Sequence, residues 1–120
     1  MPASKSWVPD RRDMIWIDFN PQTGAEMKDK HPMLVLSPKA FNERTGIVIG
    51  LPMTHAPFNE TNPFAVKFTT ARGEIGYVLT HQPKSFDWRK RGARPHPFKQ
   101  VSASLLESAC ESLNGIISIA

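Results

Sequence analysis

Polar side chains that can exchange protons or bind anions follow several short apolar segments of this 120-residue chain. Glu26 and His31 flank a polar loop, Thr54 follows one apolar run, and His81 and Gln82 follow another. Functional side chains often lie where strands give way to loops, and carboxylate and imidazole groups are common general acids and bases. Each residue alone is also what an ordinary solvated loop contains.

Several other chemistries have no support in the sequence. The single cysteine, Cys110, cannot form an internal disulfide. The phosphate-binding pattern Gly-x-x-x-x-Gly-Lys and the nucleophile pattern Gly-x-Ser-x-Gly are both absent. The histidines are too far apart in sequence to show a zinc-binding spacing; they are His31, His55, His81 and His96. We therefore expect no metal and no cofactor.

The positive charge of the chain is concentrated in one segment. Residues 84–99 contain six basic residues and one acid and so carry a net charge of +5, while the rest of the chain carries −1. Such a local field attracts phosphate, although a solvated basic loop is the alternative. The residues are Lys84, Arg89, Lys90, Arg91, Arg94 and Lys99, with Asp87 as the acid.

The length and the composition indicate one compact domain. Apolar residues make up 40% of the chain and charged residues 22%, which is typical of a globular protein. No run approaches the roughly 20 apolar residues of a membrane span, and the N-terminus lacks the apolar region of a signal peptide. We expect a single domain over residues 1–120 with a flexible segment at 1–7, a cytoplasmic location and no membrane contact.

Short strands predominate in the predicted secondary structure. Apolar runs and alternation predict strands over 14–19, 33–36, 47–52, 64–68 and 75–80, and a further short strand at 85–88 before a basic loop. Ser37 as N-cap and Pro38 as first residue predict a helix of about two turns that ends before Gly46. Residues 53–62 are predicted to form a loop.

The end of the chain changes to helical periodicity. Apolar residues recur at steps of three and four from Leu105 to Ile117, and Ser104 with Glu107 has the spacing of a capping box. A strand-like tail is expected over 116–119. The predicted fold class is α+β and mainly β: a strongly curved antiparallel sheet with a short inserted helix and a C-terminal helix.

Five segments stand out when the chain is read in order: residues 13–21 (DMIWIDFNP), 24–26 (GAE), 31–38 (HPMLVLSP), 51–54 (LPMT) and 82–93 (QPKSFDWRKRGA). Together they resemble the MazF/PemK/Kid toxins, the mRNA interferases of type II toxin–antitoxin systems. No single segment is decisive, but their number, order and spacing are specific. The resemblance covers nearly the whole chain from Val8 onward.

The resemblance implies an SH3-like MazF/Kid/CcdB barrel assembled as a homodimer and held inactive by a cognate antitoxin. DNA would be contacted only through the antitoxin complex. The implied activity is sequence-specific, metal-independent cleavage of single-stranded mRNA. In it the RNA 2′-hydroxyl attacks the adjacent phosphodiester and leaves a 2′,3′-cyclic phosphate and a 5′-hydroxyl.

The resemblance also implies a catalytic site. Glu26 and Thr54 match family site residues by position, whereas the family arginine is replaced by His31, and His81 stands where many relatives have aspartate. In one interpretation, His31 and His81 form an acid–base pair while Lys30 and the basic segment supply the lost charge. In the other, the site is weakened, and the protein binds RNA but cuts it slowly or not at all.

Further residues are predicted to bind RNA. Trp88, inside the basic segment, would stack on a base or pack against the C-terminal helix. Trp16 would cap the core, lie at the dimer interface or stack on a base. The remaining candidates are Lys30, Gln82, Lys84, Arg89 and Arg91.

A non-catalytic function of another class is also considered. The CcdB toxins have a similar fold but act by binding DNA gyrase, and their gyrase contacts come from a Trp-Gly-Ile chain end. This chain ends instead with Ile117, Ser118, Ile119 and Ala120, which argues against a gyrase inhibitor.

Overall fold

A computed structural model describes residues 7–19 and 30–118 of the chain. These residues form a mainly β structure with two helices, which confirms the predicted fold class. A 3-10 turn, Pro57–Thr61, lies between the third and fourth strands. The elements in order are β1 (Asp13–Asp18), β2 (Lys30–Val35), α1 (Lys39–Thr45), β3 (Ile47–Thr54), β4 (Ala65–Thr69), β5 (Ile75–Leu79), β6 (Lys84–Asp87), β7 (Arg94–Gln100) and α2 (Ala103–Ile117).

The strands of this part of the chain form an antiparallel sheet in the order β4-β5-β3-β2-β1-β7, and β6 pairs with β3 beside this path. β3 is the central strand, because its first half pairs with β6, its middle with β2 and its end with β5. Its last residues, toward Thr54, therefore lie beside both β2 and β5.

Two apolar clusters cover the two faces of the curved sheet. Successive side chains of a strand point to opposite faces, so Met14 and Leu34 belong to a cluster that α2 covers with Ala109 and Leu113. The neighbouring residues on β1 and β2 belong to the second cluster, which includes Ile15, Ile17, Met33, Val35, Val48 and Trp88. Neither helix in the described residues is long and apolar enough to span a bilayer.

Gly50 allows β2 and β3 to approach closely. A Cβ atom at this position would lie 2.2 Å from the carbonyl oxygen of Leu34 and 2.8 Å from the Met33 side chain. Only glycine avoids a backbone clash at this distance. Gly50 pairs with Val35 in the antiparallel β2–β3 ladder that leads toward Thr54.

Both predicted helix starts are corrected by the structure. The N-cap of α1 is Pro38, and the Ser37 hydroxyl instead bonds the Asn42 side chain at 2.5 Å. The N-cap of α2 is Ser102, whose hydroxyl accepts a hydrogen bond from the Leu105 N–H. The predicted capping box of Ser104 is therefore wrong, because the helix begins two residues earlier.

Three other predicted segments also differ. The 53–62 loop contains the 3-10 turn, and the expected basic loop contains the strand β7. The expected strand-like tail is helical as far as Ile117, and Ser118 is the C-cap. Trp7, assigned to the flexible segment, packs edge-on against Trp88 with the ring centroids 6.2 Å apart.

Candidate active site

His31 lies near the start of β2, on the sheet face that also carries Phe19. It pairs in register with Ile17 of β1 and is exposed. Its ring meets the edge of the Phe19 ring at a centroid distance of 5.2 Å, and Phe19 in turn packs against Phe86 of β6 at 5.0 Å. The imidazole therefore packs against an aromatic pair, Phe19 and Phe86, and faces solvent.

Arg91 is fixed beside this aromatic pair. Its guanidinium donates hydrogen bonds to the carbonyl oxygens of Asp18 at 3.3 Å and Phe19 at 3.2 Å. It also lies over the Phe86 ring, 4.2 Å from the centroid. Contacts on two sides hold a permanent positive charge near His31.

Lys30 completes the pair that we call the cationic cluster, defined as Lys30 and Arg91, which lies beside His31. The Lys30 ammonium donates to the Gly92 carbonyl at 3.3 Å. Gly92 has a φ of +63°, and a Cβ there would lie 2.8 Å from the Lys30 Nζ. The positive φ is what favours glycine at this turn, since the end of the lysine side chain could move aside.

Thr54 lies at the same end of the β2–β3 ladder as His31. The two strands pair through Met33 and Pro52, and His31 and Thr54 each lie two residues beyond that pair. The Thr54 Oγ1 accepts a hydrogen bond from the Ala56 N–H at 3.1 Å, and among the described residues its own proton has no acceptor. Thr54 is half-buried at the end of its strand.

A polar row that the sequence did not reveal continues across the sheet from Thr54. Thr54 pairs with Tyr77, and Tyr77 pairs with Lys67, so the three side chains share one face. Glu60 of the 3-10 turn accepts hydrogen bonds from the Tyr77 hydroxyl at 2.5 Å and from Lys67 at 3.1 Å. These bonds lower the pKa of Glu60, the Tyr77 bond most, and Glu60 raises the pKa of Tyr77. Only the strand register brings the three residues together.

His81 lies away from the cationic cluster. It follows β5, which runs antiparallel to β3 and away from Thr54, and its ring packs near Phe64 at a centroid distance of 5.8 Å. Thr80, next to it, hydrogen-bonds Ser112 of α2 at 2.6 Å. One protomer therefore does not bring His31 and His81 together as an acid–base pair.

The prediction that Trp88 stacks on RNA or packs on the C-terminal helix is wrong. The ring is 6% exposed in the cluster that α2 does not cover, and its N–H donates to the Asn42 carbonyl at 2.8 Å. The Arg89 guanidinium lies over the indole, 4.2 Å from the ring centroid. A buried indole with these contacts has no open face for a base.

The other predicted RNA-binding residues lie in separate places. Lys84 is half-buried on β6 and pairs with Gly50, and Gln82 is exposed with its amide 3.2 Å from the His81 ring. Glu26 lies outside the described residues. No group of three or more possible metal ligands occurs in the parts of the chain at 7–19 and 30–118.

Trp16 takes part in a second site feature that the sequence did not predict. Its ring stacks on His96 of β7 with a centroid distance of 4.8 Å and an interplanar angle of 26°. His96 and His55 line a small cavity together with Thr54. Burial lowers the pKa of His96, and the charge of His55 lowers it further. The only sequence signal was that His55 follows Thr54 directly.

Comparison with known proteins places this geometry in a family. The family described as "PemK-like, MazF-like toxin of type II toxin-antitoxin system" matches residues 10–117. The chain is 39% identical over 87 residues to "Endoribonuclease toxin MazF" of Escherichia coli K12, an alignment that covers 72% of this chain and 76% of that protein.

Solved structures give the same result for the fold. MazF from Deinococcus radiodurans matches with a TM-score of 0.80 and 32% identity over 95% of this chain and 100% of that chain. A crystal structure of MazE-MazF from the same organism matches with a TM-score of 0.80 and 29% identity over 96% and 100%. The MazF-like fold predicted from the resemblance is confirmed, as a mainly β half-barrel of antiparallel strands with a short helix and a C-terminal helix. This chain belongs to the PemK-like, MazF-like toxins of type II toxin–antitoxin systems.

Proposed function

We propose that this protein is a sequence-specific endoribonuclease that cleaves single-stranded mRNA without a metal ion. The observation that carries the proposal is the cationic cluster fixed beside the strand end with Thr54, in a chain 39% identical to a protein named an endoribonuclease. Lys30 and Arg91 are anchored by hydrogen bonds, so their charges are in place before a substrate binds. Preorganised charge of this kind stabilises a developing phosphorane.

The proposed reaction is an internal transesterification of RNA. The 2′-oxygen loses its proton and forms a bond to phosphorus, the bond from phosphorus to the 5′-oxygen breaks, and that oxygen gains a proton. The products are a 2′,3′-cyclic phosphate and a 5′-hydroxyl. Lys30 and Arg91 bind the phosphate oxygens, and the Thr54 hydroxyl donates a hydrogen bond to the same phosphate.

The remaining predicted residues have roles beside or beyond this cluster. His31 is exposed against the Phe19 ring and contacts an adjacent phosphate of the RNA. His81 and Gln82 contact the RNA elsewhere along its path, and Lys84 and Arg89 add to the attractive field of the basic segment. Glu26 is proposed as a further catalytic residue on the strength of the resemblance alone.

We also propose that the protein acts in the cytoplasm as a homodimer, that an antitoxin protein holds it inactive, and that only the antitoxin complex contacts DNA. Support comes from the similar MazE-MazF structure. Exposed isoleucines on β3 and at the end of α2, Ile49, Ile116 and Ile117, are available for such contacts. The basic segment, with its net charge of +5, fits an acidic partner.

The test is cleavage of a long single-stranded RNA by purified protein in EDTA, with the new 5′ ends mapped by primer extension. We expect discrete cuts, 5′-hydroxyl ends and cyclic phosphates. Thr54→Val, which keeps the shape of the side chain without the hydroxyl, should slow cleavage while RNA binding is retained. Intact RNA with retained binding would instead identify a catalytically weakened RNA-binding relative.

A further inference from the structure

A small cavity next to Thr54 is lined by two histidines, His55 and His96, that the proposed function does not yet use. Its rim includes Thr54 and His55 at the end of β3, Pro32 of β2 and His96 of β7. Pro32 and His31 are adjacent on β2 and point to opposite faces. By the same alternation Lys30 lies on the face of Pro32, so the cavity shares one face of the strand end with Lys30, while His31 lies on the other face.

The His55 ring is held in one tautomer. Its Nδ1 lies 2.7 Å from the carbonyl oxygen of Ile75, and a carbonyl can only accept, so Nδ1 carries the proton. In the neutral ring this leaves Nε2 with a free lone pair. A general base needs this arrangement, in which one ring nitrogen is anchored to a carbonyl or carboxylate and the other is free.

The His96 ring is held in the opposite tautomer. Its Nδ1 accepts a hydrogen bond from the Phe98 N–H at 3.1 Å, so the neutral ring carries its proton on Nε2. The stack on Trp16 fixes the plane of the ring. Burial and the charge of His55 lower the pKa of His96, which favours the neutral ring. His96 thus offers a fixed, uncharged donor.

His31 lacks a comparable anchor. Within the described residues, its ring is positioned by the edge contact with Phe19, and no hydrogen bond there selects one tautomer. Its exposed position suits it to contact phosphate. His31 thus lies exposed on one face of β2, and the two oriented imidazoles lie on the other face.

We propose that His55 is the general base of RNA cleavage, accepting the 2′-hydroxyl proton at Nε2, while His96 donates its Nε2–H to a non-bridging phosphate oxygen. This inference rests on the proposed function. The 2′-oxygen bonds to phosphorus as its proton passes to His55, and the bond to the 5′-oxygen breaks. The departing oxygen takes a proton from water, and the His55 imidazolium returns its proton to solvent, so the reaction is balanced.

The test compares His55→Ala and His55→Asn with the wild-type protein in single-turnover cleavage of one RNA. The Asn amide occupies the place of Nδ1 and can still donate to the Ile75 carbonyl, but it has nothing at the position of Nε2. We expect both variants to lose about 100-fold or more in rate, with RNA affinity within about twofold of wild type. Added imidazole should restore part of the rate of His55→Ala. Glu107→Ala, on the exposed side of α2, is the control and should match wild type.

A second substrate distinguishes a base from an acid. An RNA with sulfur in place of the bridging 5′-oxygen has a leaving group that needs no proton, so the loss should persist on it if His55 is the base. Recovery on this RNA would overturn the assignment, as would a wild-type rate in His55→Asn, which would show a structural role. If the wild-type protein cuts no RNA at all, the proposed function fails and this inference fails with it. Normal cleavage by His55→Asn overturns the inference alone.

Discussion

The guanidinium of Arg91 is tied to the fold on two sides, by the carbonyls of Asp18 and Phe19 and by the Phe86 ring. Lys90, its neighbour, is exposed, and the hydrogen bond found for it is from its backbone N–H to Asp87. The two residues add the same charge to the basic segment but differ in their attachment. This difference makes them a matched pair for separating stability from RNA binding.

Arg91→Ala should lower the free energy of unfolding by about 1–3 kcal/mol, since it removes hydrogen bonds from a charged donor. Lys90→Ala should change it by less than about 0.5 kcal/mol. Each variant that loses a phosphate contact should reduce the salt slope of RNA binding by about 0.7. Urea unfolding and binding titrations at several salt concentrations measure both effects. Equal stability of the two variants would contradict the structural role of Arg91.

At the residue scale, position relative to the strands was enough to predict where part of the candidate site lies. His31 and Thr54 could be placed at strand ends because each stands where an apolar strand begins or ends. The burial of Trp88 could not, because the indole hydrogen-bonds Asn42, which is 46 residues away. The stack of Trp16 on His96 likewise depends on the β1–β7 register, which no local pattern encodes.

At the element scale, strand β7 escaped prediction for a physical reason. It contains Pro95 and Pro97, and proline usually indicates a loop. β7 lies at the end of the sheet order and pairs with β1. An edge strand tolerates residues that lack an N–H, because one side of the strand needs no ladder bonds. The apolar strands β1, β2 and β3 carried a clear pattern and were predicted.

The N-terminus of α2 gives a prediction with an internal control. The Ser102 hydroxyl accepts the hydrogen bond from the Leu105 N–H at 3.1 Å, so Ser102→Ala should cost about 1 kcal/mol of unfolding free energy. Ser104 lies inside the helix, and Ser104→Ala should be near neutral or slightly stabilising. Thermal or urea unfolding of both variants measures the difference. The reverse order would restore the capping box that the sequence suggested.

Two glycines should respond to alanine in opposite directions. Gly50→Ala places a methyl group against the Leu34 backbone and should destabilise the protein by about 1–3 kcal/mol or more. Gly115 lies in α2 with nothing within 4 Å of the added atom, and Gly115→Ala should stabilise by about 0.5–1 kcal/mol. The denaturant midpoints of the two variants, compared with that of the wild-type protein, measure these changes in stability. A tolerated Gly50→Ala would mean that the close approach of β2 and β3 is not required.

At the scale of the whole molecule, acid lowers stability through one group and raises it through another. Burial lowers the pKa of His96, whereas burial raises the pKa of Asp13. Above about pH 7 the histidine is neutral in both the folded and unfolded states and contributes nothing. As the pH drops below about 6.5, the unfolded chain takes up the histidine proton first, so the free energy of unfolding decreases as the pH decreases. Near pH 4 the folded carboxyl takes up its proton first, so this group favours folding as the pH drops further.

The histidine contribution can be isolated by measuring unfolding free energies from pH 8 to pH 4. His96→Leu removes the titrating group while keeping an apolar side chain against Trp16. The variant should lose less stability than wild type between pH 7 and pH 5, whatever its stability at pH 8. Asp13→Asn should leave the slope in that range unchanged and alter it only below about pH 5. An identical slope for His96→Leu and wild type would show that protonation of His96 does not oppose folding. In that case the proposal that His96 is a neutral, fixed hydrogen-bond donor beside Thr54 would lose its physical basis.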